Sequence, residues 1–142
     1  MWRVFHRMVI LLLVASSAGA QEAAEGYVFS VTVETQQELD IVLNRAEDLR
    51  ELFDPDQHSR IAIILHGEEL QLFQKNNYSN NMSLVERARD LDKDDIIDIQ
   101  ACQTRMRQLN IDQTELPSFI EQIPFAPAEI ERLEKEEGFT RL

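Results

Sequence analysis

Cysteine is nearly absent from this chain, since Cys102 is the only cysteine among 142 residues. No internal disulfide can form, which excludes the small exported domains that four or more cysteines hold together. The thiol is therefore either a small buried side chain or a group retained for its chemistry.

Glycine is also scarce, with four residues in the whole chain. The first predicted strand is followed by residues 34–37, ETQQ, without the glycine-rich turn that lets a pyrophosphate approach the backbone. This excludes a dinucleotide-binding unit and a P-loop, and we expect no cofactor. Ser79 and Ser83 lack the nucleophile-elbow glycines of a hydrolase.

Positively charged residues are also few. Lysine and arginine number 14 against 26 aspartates and glutamates, which gives a formal net charge of −12. Phosphate binding needs a clustered positive face, so nucleic acid is excluded as a partner. An acidic surface also argues against docking on anionic lipid and favours solubility.

The amino-terminal residues have the pattern of a secretion signal. Arg3 and Arg7 supply a positive start, residues 8–15 form an apolar run, and small residues occupy positions 18–20. We predict a signal peptide at 1–20 and export of the mature chain to the bacterial periplasm. The apolar run falls short of the roughly 20 residues that a membrane span needs, so no stable span is expected after cleavage. An uncleaved anchor is the alternative.

The remaining chain has the length of one domain. We predict a flexible terminus at residues 21–26 and a single domain at residues 27–142. Within the domain, residues 75–81 are predicted to form an asparagine-rich loop. The predicted strands are 27–33, 60–66, 94–102, a short strand within 119–124 and an edge strand at 139–142. Three helices are predicted: one after the capping residue Thr35, one after the capping residue Ser83 and one that begins at Pro127. Shorter helical segments are predicted at 68–73, at 103–109 and after Asp112.

Strands alternate with helices along the whole domain. Parallel neighbours in a sheet need crossover connections, so this alternation predicts a three-layer α/β/α fold with a mostly parallel sheet of four to five strands. The nearly continuous apolar run at 60–66, stopped by Gly67, predicts a central strand that is covered on both faces.

Cys102 ends a predicted strand, and open α/β sheets bind ligands at the carboxyl ends of their strands. A nucleophilic or sulfur-carrying thiol needs thiolate character, which a helix that begins at Gln103 and the cation Arg105 could supply. The alternative is a small buried cysteine that only packs.

His66 ends the preceding predicted strand and could share the same rim. It would act there as a proton acceptor or as a donor that stabilises an anion. The alternative is a histidine that orders the strand-to-helix turn through a backbone hydrogen bond.

A metal site is not predicted. His58, His66, Glu68, Glu69 and Cys102 include no His-x-x-x-His or Cys-x-x-Cys spacing that would preorganise a zinc site. Glu68 and Glu69 are instead expected to be a solvated helix start that complements the helix dipole.

Three segments resemble the DsrE-like family. Residues 63–67, IILHG, are similar to the family's strand that ends in a His-Gly pair, and residues 102–107, CQTRMR, resemble a later strand that ends in Cys before a Ser/Thr-Met-Lys/Arg pattern. Residues 137–139, EGF, resemble the closing Gly-aromatic signature. The resemblance covers residues 27–142. Gln103 departs from it, because a small residue commonly follows the family's cysteine.

The resemblance implies a compact α/β subunit that assembles into homo-oligomers and, in some relatives, a cysteine that accepts sulfane sulfur as a persulfide. Only Cys102 carries over to that role. We therefore expect an exported sulfur carrier, sulfurtransferase-like rather than a hydrolase or oxidoreductase, whose partner is a donor or acceptor protein or a small thiol. The alternative is a non-catalytic homo-oligomeric assembly or small-ligand-binding module in which the cysteine is structural.

Overall fold

A computed structural model describes residues 24–142 of the protein. The predicted signal peptide and residues 21–23 of the predicted flexible terminus lie outside the described residues. Within the described part, no helix is long and apolar enough to cross a bilayer.

One five-stranded sheet organises the domain, and every neighbouring pair of strands is parallel. The strands are β1 (Gly26–Val31), β2 (Ile61–Leu65), β3 (Ile97–Cys102), β4 (Glu121–Ile123) and β5 (Phe139–Arg141), in the spatial order β4-β3-β2-β1-β5. The helices are α1 (Gln36–Arg50), α2 (Tyr78–Asp92), α3 (Gln103–Gln108) and α4 (Ala126–Glu136), with 3-10 turns at Glu68–Phe73, Lys75–Asn77 and Gln113–Glu115. The predicted three-layer α/β/α fold with a parallel sheet is confirmed.

The two faces of the sheet are covered unequally. On one face, α1 and α2 pack over the larger core, in which Leu39, Leu43 and Leu84 meet the alternate residues Ile61 and Ile63 of β2. On the other face α4 packs over a smaller cluster formed by the remaining residues of the strands. All five residues of β2 are buried, as its continuous apolar sequence predicts for a central strand.

The predicted start of α1 is confirmed in atomic detail. The hydroxyl of Thr35 accepts the N–H of Glu38 at 3.2 Å, and the carboxylate of Glu38 accepts the N–H of Thr35 at 3.0 Å. These two bonds satisfy backbone donors that the first helical turn leaves unpaired. Helical spacing then buries Leu39, Leu43 and Ala46 against the sheet.

The predicted loop at 75–81 is wrong. A 3-10 turn occupies Lys75–Asn77, and α2 begins at Tyr78 rather than after Ser83. Tyr78 packs against the larger core, so tertiary contact extends the helix over residues whose own preference is for turns. The backbone is non-helical at Asn81, where the helix kinks.

The prediction of a solvated Glu69 is also wrong, because this side chain is completely buried. Its carboxylate oxygens accept the backbone N–H of Gly67 at 2.8 Å and that of Val33 at 3.0 Å. Burial raises the pKa of the Glu69 carboxyl, and the backbone hydrogen bonds oppose that rise. The side chain ties the turn after β2 to the turn after β1.

Close packing of neighbouring atoms requires a glycine at position 67. A Cβ atom at this position would lie 2.7 Å from Cα of Thr32 and would also collide with the carboxylate of Glu69. Any residue can adopt the φ of −119° found at Gly67, so packing rather than backbone conformation excludes a side chain here.

The start and the end of α4 lie where the sequence predicts them. Pro127 lies in the first turn of α4, where a missing backbone N–H costs nothing. Gly138 has a φ of 71° immediately beyond the helix, a left-handed conformation that glycine adopts without strain. The chain then enters the edge strand β5 beside β1.

Candidate functional site

The carboxyl ends of β2 and β3 bring His66 and Cys102 to one small cavity of about 140 Å³, together with Arg105 from α3. We call this the thiol cavity. Since β2 and β3 are adjacent and parallel, both ends reach the same edge of the sheet. The other residues that line it are Thr104, Gln108, Phe125 and Pro127.

Cys102 is a buried residue that lines the thiol cavity. The residue is 3% exposed and packs in the smaller cluster beneath α4. Its Sγ atom accepts a hydrogen bond from the backbone N–H of Ala126 at 3.4 Å. Met106, in contrast, packs in the larger core on the opposite face of the sheet.

The hydrogen bond from Ala126 comes from the first residue of α4, a helix of 11 residues. Free N–H groups and the macrodipole make a helix N-terminus favourable for negative charge, and Sγ of Cys102 contacts such a terminus. The sequence predicts that effect for α3, but Cys102 is the residue before the first turn of α3 and makes no side-chain capping bond there. The sequence signal for α4 was Pro127, but only the strand order shows that α4 starts beside β3.

His66 is held by the neighbouring strand. Its Nε2 atom lies 2.9 Å from the hydroxyl oxygen of Ser30 in β1. Burial lowers the pKa of His66, and the positive charges of Arg141 and Arg105 lower it further. The ring is therefore uncharged at neutral pH, a state in which it can accept a proton. Its hydrogen bond goes to a hydroxyl group and not to the backbone of the following turn.

Arg105 shares its charge with an acidic neighbour. One guanidinium nitrogen lies 2.5 Å from a carboxylate oxygen of Glu68, and another donates to the side chain of Gln108 at 3.1 Å. Both atoms of the Arg105–Glu68 pair belong to partly exposed side chains, so solvent weakens their interaction. Arg105 adds a screened positive charge to the rim and leaves the direct contact with sulfur to Ala126.

Metal ligation has no candidate in the described part of the chain. Among residues 24–142, no three His, Cys, Asp or Glu side chains converge closely enough to hold an ion. The thiol cavity brings together one thiol, one imidazole with a lowered pKa and, through the hydrogen bond to Sγ, one helix N-terminus. That set suits nucleophilic attack by sulfur on an electrophilic atom small enough to enter.

Comparison with known proteins supports the fold. No protein-family model matches the chain, and no curated protein does. One similar solved structure is that of MTH1491 from Methanobacterium thermoautotrophicum, a protein of unknown function, with 15% sequence identity and a TM-score of 0.63. The match covers 82% of this chain and 96% of that one. At this identity, the similarity establishes a shared fold alone.

Proposed function

We propose that the protein is an exported sulfur carrier of the DsrE-like type, with Cys102 as the atom that holds the transferred sulfur. The observation that carries the proposal is the position of Cys102, which ends β3, lines a cavity with His66 and has its Sγ atom under the first N–H of α4. The resemblance of residues 102–107 to the DsrE-like cysteine segment supports sulfane sulfur as the cargo.

The reaction is an exchange of sulfur without net oxidation. The Cys102 thiolate attacks the outer sulfur of a donor persulfide, R–S–SH, and a new sulfur–sulfur bond forms at Sγ as the donor bond breaks. The donor leaves with the bonding electron pair as a thiolate, R–S⁻, and takes up a proton to become R–SH. Transfer to an acceptor thiol repeats these steps in reverse order.

The residues of the thiol cavity have separate roles in this scheme. His66 accepts the proton of Cys102, and the hydroxyl of Ser30 keeps the ring in place. The N–H of Ala126 stabilises negative charge on sulfur. Arg105 attracts the anionic end of a donor to the rim.

The size of the thiol cavity restricts the donor. Its volume is about 140 Å³. A slender terminal sulfur can enter, whereas the rest of the donor must remain outside, next to the half-exposed ring of Phe125. A persulfide carried by a small thiol or by a partner protein meets this requirement.

The competing function is that of a non-catalytic homo-oligomeric assembly or ligand-binding module with a structural cysteine. The observation in its favour is that Cys102 is 3% exposed and packs against apolar residues. Exposed apolar side chains at Ile41, Leu52, Met82 and Phe125 offer surface for self-association in either function.

Incubation of the mature protein with glutathione persulfide, followed by intact mass spectrometry, tests the proposal. We expect one added sulfur atom that a reducing thiol removes, and no addition to Cys102→Ser. His66→Gln should slow loading several-fold, while His58→Gln, which alters an exposed histidine outside the thiol cavity, should not. Wild-type protein that gains no sulfur under these conditions would support the structural cysteine.

A further inference from the structure

A second cavity, of about 380 Å³, adjoins the thiol cavity. His66 and Pro127 line both of them, so the two cavities lie side by side. We call the second one the α4 cavity, because most of its wall belongs to that helix. Its other lining residues are Ile130, Glu131, Glu134, Lys135 and Arg141. Pockets for small molecules usually measure roughly 300–1,000 Å³, so the α4 cavity has the size for a small ligand.

The α4 cavity has one unpaired charge of each sign. Glu131 and Lys135 form an ion pair with each other, one turn apart on α4. Within residues 24–142, neither Arg141 nor Glu134 forms an ion pair. The side chain of Arg141 is exposed and that of Glu134 is partly exposed, so both are accessible to a ligand. A complementary ligand therefore carries a negative group and a positive group close together.

Arg141 lies next to the groups that act on the thiol. It ends β5, and one of its guanidinium nitrogens donates to the hydroxyl of Ser30 at 3.4 Å. The same hydroxyl oxygen lies 2.9 Å from Nε2 of His66. Burial lowers the pKa of His66, and the nearby charge of Arg141 lowers it further. A carboxylate bound to Arg141 would therefore belong to a molecule whose next atoms meet the imidazole that borders the thiol cavity.

We propose that the α4 cavity binds the α-amino-acid end of the sulfur donor, and that the donor is a small free persulfide such as cysteine persulfide. The carboxylate pairs with Arg141, the ammonium group pairs with Glu134, and the side chain passes His66 so that its outer sulfur enters the thiol cavity. This inference rests on the proposed sulfur-carrier function, because it identifies the chemical class of the donor.

The two charged groups separate small donors from protein donors. A cysteine inside a protein chain has its amino and carboxyl groups in peptide bonds, so a partner protein cannot present them to Arg141 and Glu134. Glutathione persulfide belongs to the proposed class, since its glutamyl end keeps both groups free. The α4 cavity therefore favours a small thiol over a partner protein as the source of sulfur.

Sulfur transfer from this donor is an exchange without net oxidation. The Cys102 thiolate attacks the outer sulfur of cysteine persulfide, and a sulfur–sulfur bond forms at Sγ as the donor bond breaks. Free cysteine leaves as a thiolate with the bonding electron pair. It takes up the proton that His66 accepted from Cys102 and becomes a neutral thiol.

Titration calorimetry of the mature protein with S-methylcysteine tests the α4 cavity apart from the sulfur chemistry. This probe has a methyl group in place of the outer sulfhydryl and cannot transfer sulfur to Cys102. We expect saturable binding of one molecule per chain, weakened at least tenfold in Arg141→Gln and in Glu134→Gln and partly restored in Arg141→Lys. Arg89→Gln and Glu136→Gln are the matched controls and should bind like the wild type, because both side chains are exposed and lie outside the α4 and thiol cavities.

Two further probes separate recognition of the paired charges from general binding. N-acetyl-S-methylcysteine lacks the ammonium group, and 2-(methylthio)ethylamine lacks the carboxylate. Each should bind at least tenfold more weakly than S-methylcysteine. An absence of S-methylcysteine binding, or equal binding of all three compounds, would overturn the inference.

Loading of Cys102 by cysteine persulfide, followed by intact mass spectrometry, connects the α4 cavity to sulfur transfer. The loading rate should saturate with donor concentration, and Arg141→Gln should raise the half-saturating concentration at least tenfold while it changes the maximal rate far less. Loading with the same concentration dependence in Arg141→Gln would overturn the inference and leave the sulfur-carrier function standing. Binding of S-methylcysteine without loading of Cys102 by any persulfide would overturn the sulfur-carrier function, and with it the role of the α4 cavity in donor binding.

Discussion

Replacement of Glu69 by glutamine should destabilise the fold. In the native protein its two carboxylate oxygens accept the N–H groups of Gly67 and Val33 at 2.8 and 3.0 Å, in a position with no solvent exposure. A glutamine has one side-chain oxygen, so one N–H would face an NH₂ group that cannot accept it. Loss of a hydrogen bond to a charged group costs about 1.5–3 kcal/mol, from which relief of the buried charge subtracts a part. We expect the free energy of unfolding to fall by about 1–3 kcal/mol.

Urea denaturation followed by far-ultraviolet circular dichroism at pH 7 measures this loss. Glu68→Gln is the matched control, because its carboxylate is partly exposed and its partners, Arg105 and the side-chain amide of Gln71, are also at the surface, so its cost should stay within about 1 kcal/mol. Equal stability of the two variants would refute the reasoning that Glu69 holds the turns after β1 and β2 together.

The pH dependence of Glu69 has a defined sign. Its folded pKa is raised, so the folded chain keeps this proton at pH values where the unfolded chain, with a pKa of about 4.3, has lost it. The contribution to stability is present in acid and is lost as the pH rises from about 4.3 through the folded pKa. Glu69→Gln should lack this decline, while Glu68→Gln should retain it.

Two further predictions concern the core and the histidine. Leu39→Ala should lower the free energy of unfolding by about 2–5 kcal/mol, since the side chain of Leu39 has no solvent exposure. Ile41 is exposed, so Ile41→Ala should change the free energy of unfolding by less than about 0.5 kcal/mol. Equal losses in urea denaturation would contradict the assignment of the buried and exposed faces of α1. His66 has a lowered folded pKa, so the stability that it contributes as a neutral ring is present above the unfolded pKa of about 6.5 and is lost as the pH falls below it. Urea midpoints between pH 5 and 7.5 should show this loss in the wild type and in His58→Gln, and a smaller one in His66→Gln; identical slopes in all three would refute it.

Local sequence signals predicted the fold well where they act over a few residues. The Thr35–Glu38 pair marks the start of α1, and Gly138 marks the end of α4, because each satisfies a need of the adjacent turn. The apolar run of β2 indicates its central place, since only a strand buried on both faces tolerates it.

Features that depend on the order of the strands were not predictable in the same way. Glu69 looks like a solvated residue in sequence, and its burial arises from backbone donors that two separate turns bring to it. The hydrogen bond from Ala126 to Cys102 joins groups 24 residues apart. It forms because α4 starts beside the end of β3, and no local sequence pattern indicates that placement. Tyr78 shows the same limit, because contact with the core extends α2 against the turn preference of its asparagines.

The most direct test of the central claim is the rate at which methyl methanethiosulfonate modifies Cys102 in the native protein. If Sγ is a thiolate under the N–H of Ala126 and reachable through the thiol cavity, modification at neutral pH should be far faster than global unfolding and should slow in His66→Gln. Modification that proceeds only at the rate of unfolding, and slows as the fold is stabilised, would contradict the account and leave Cys102 a structural residue.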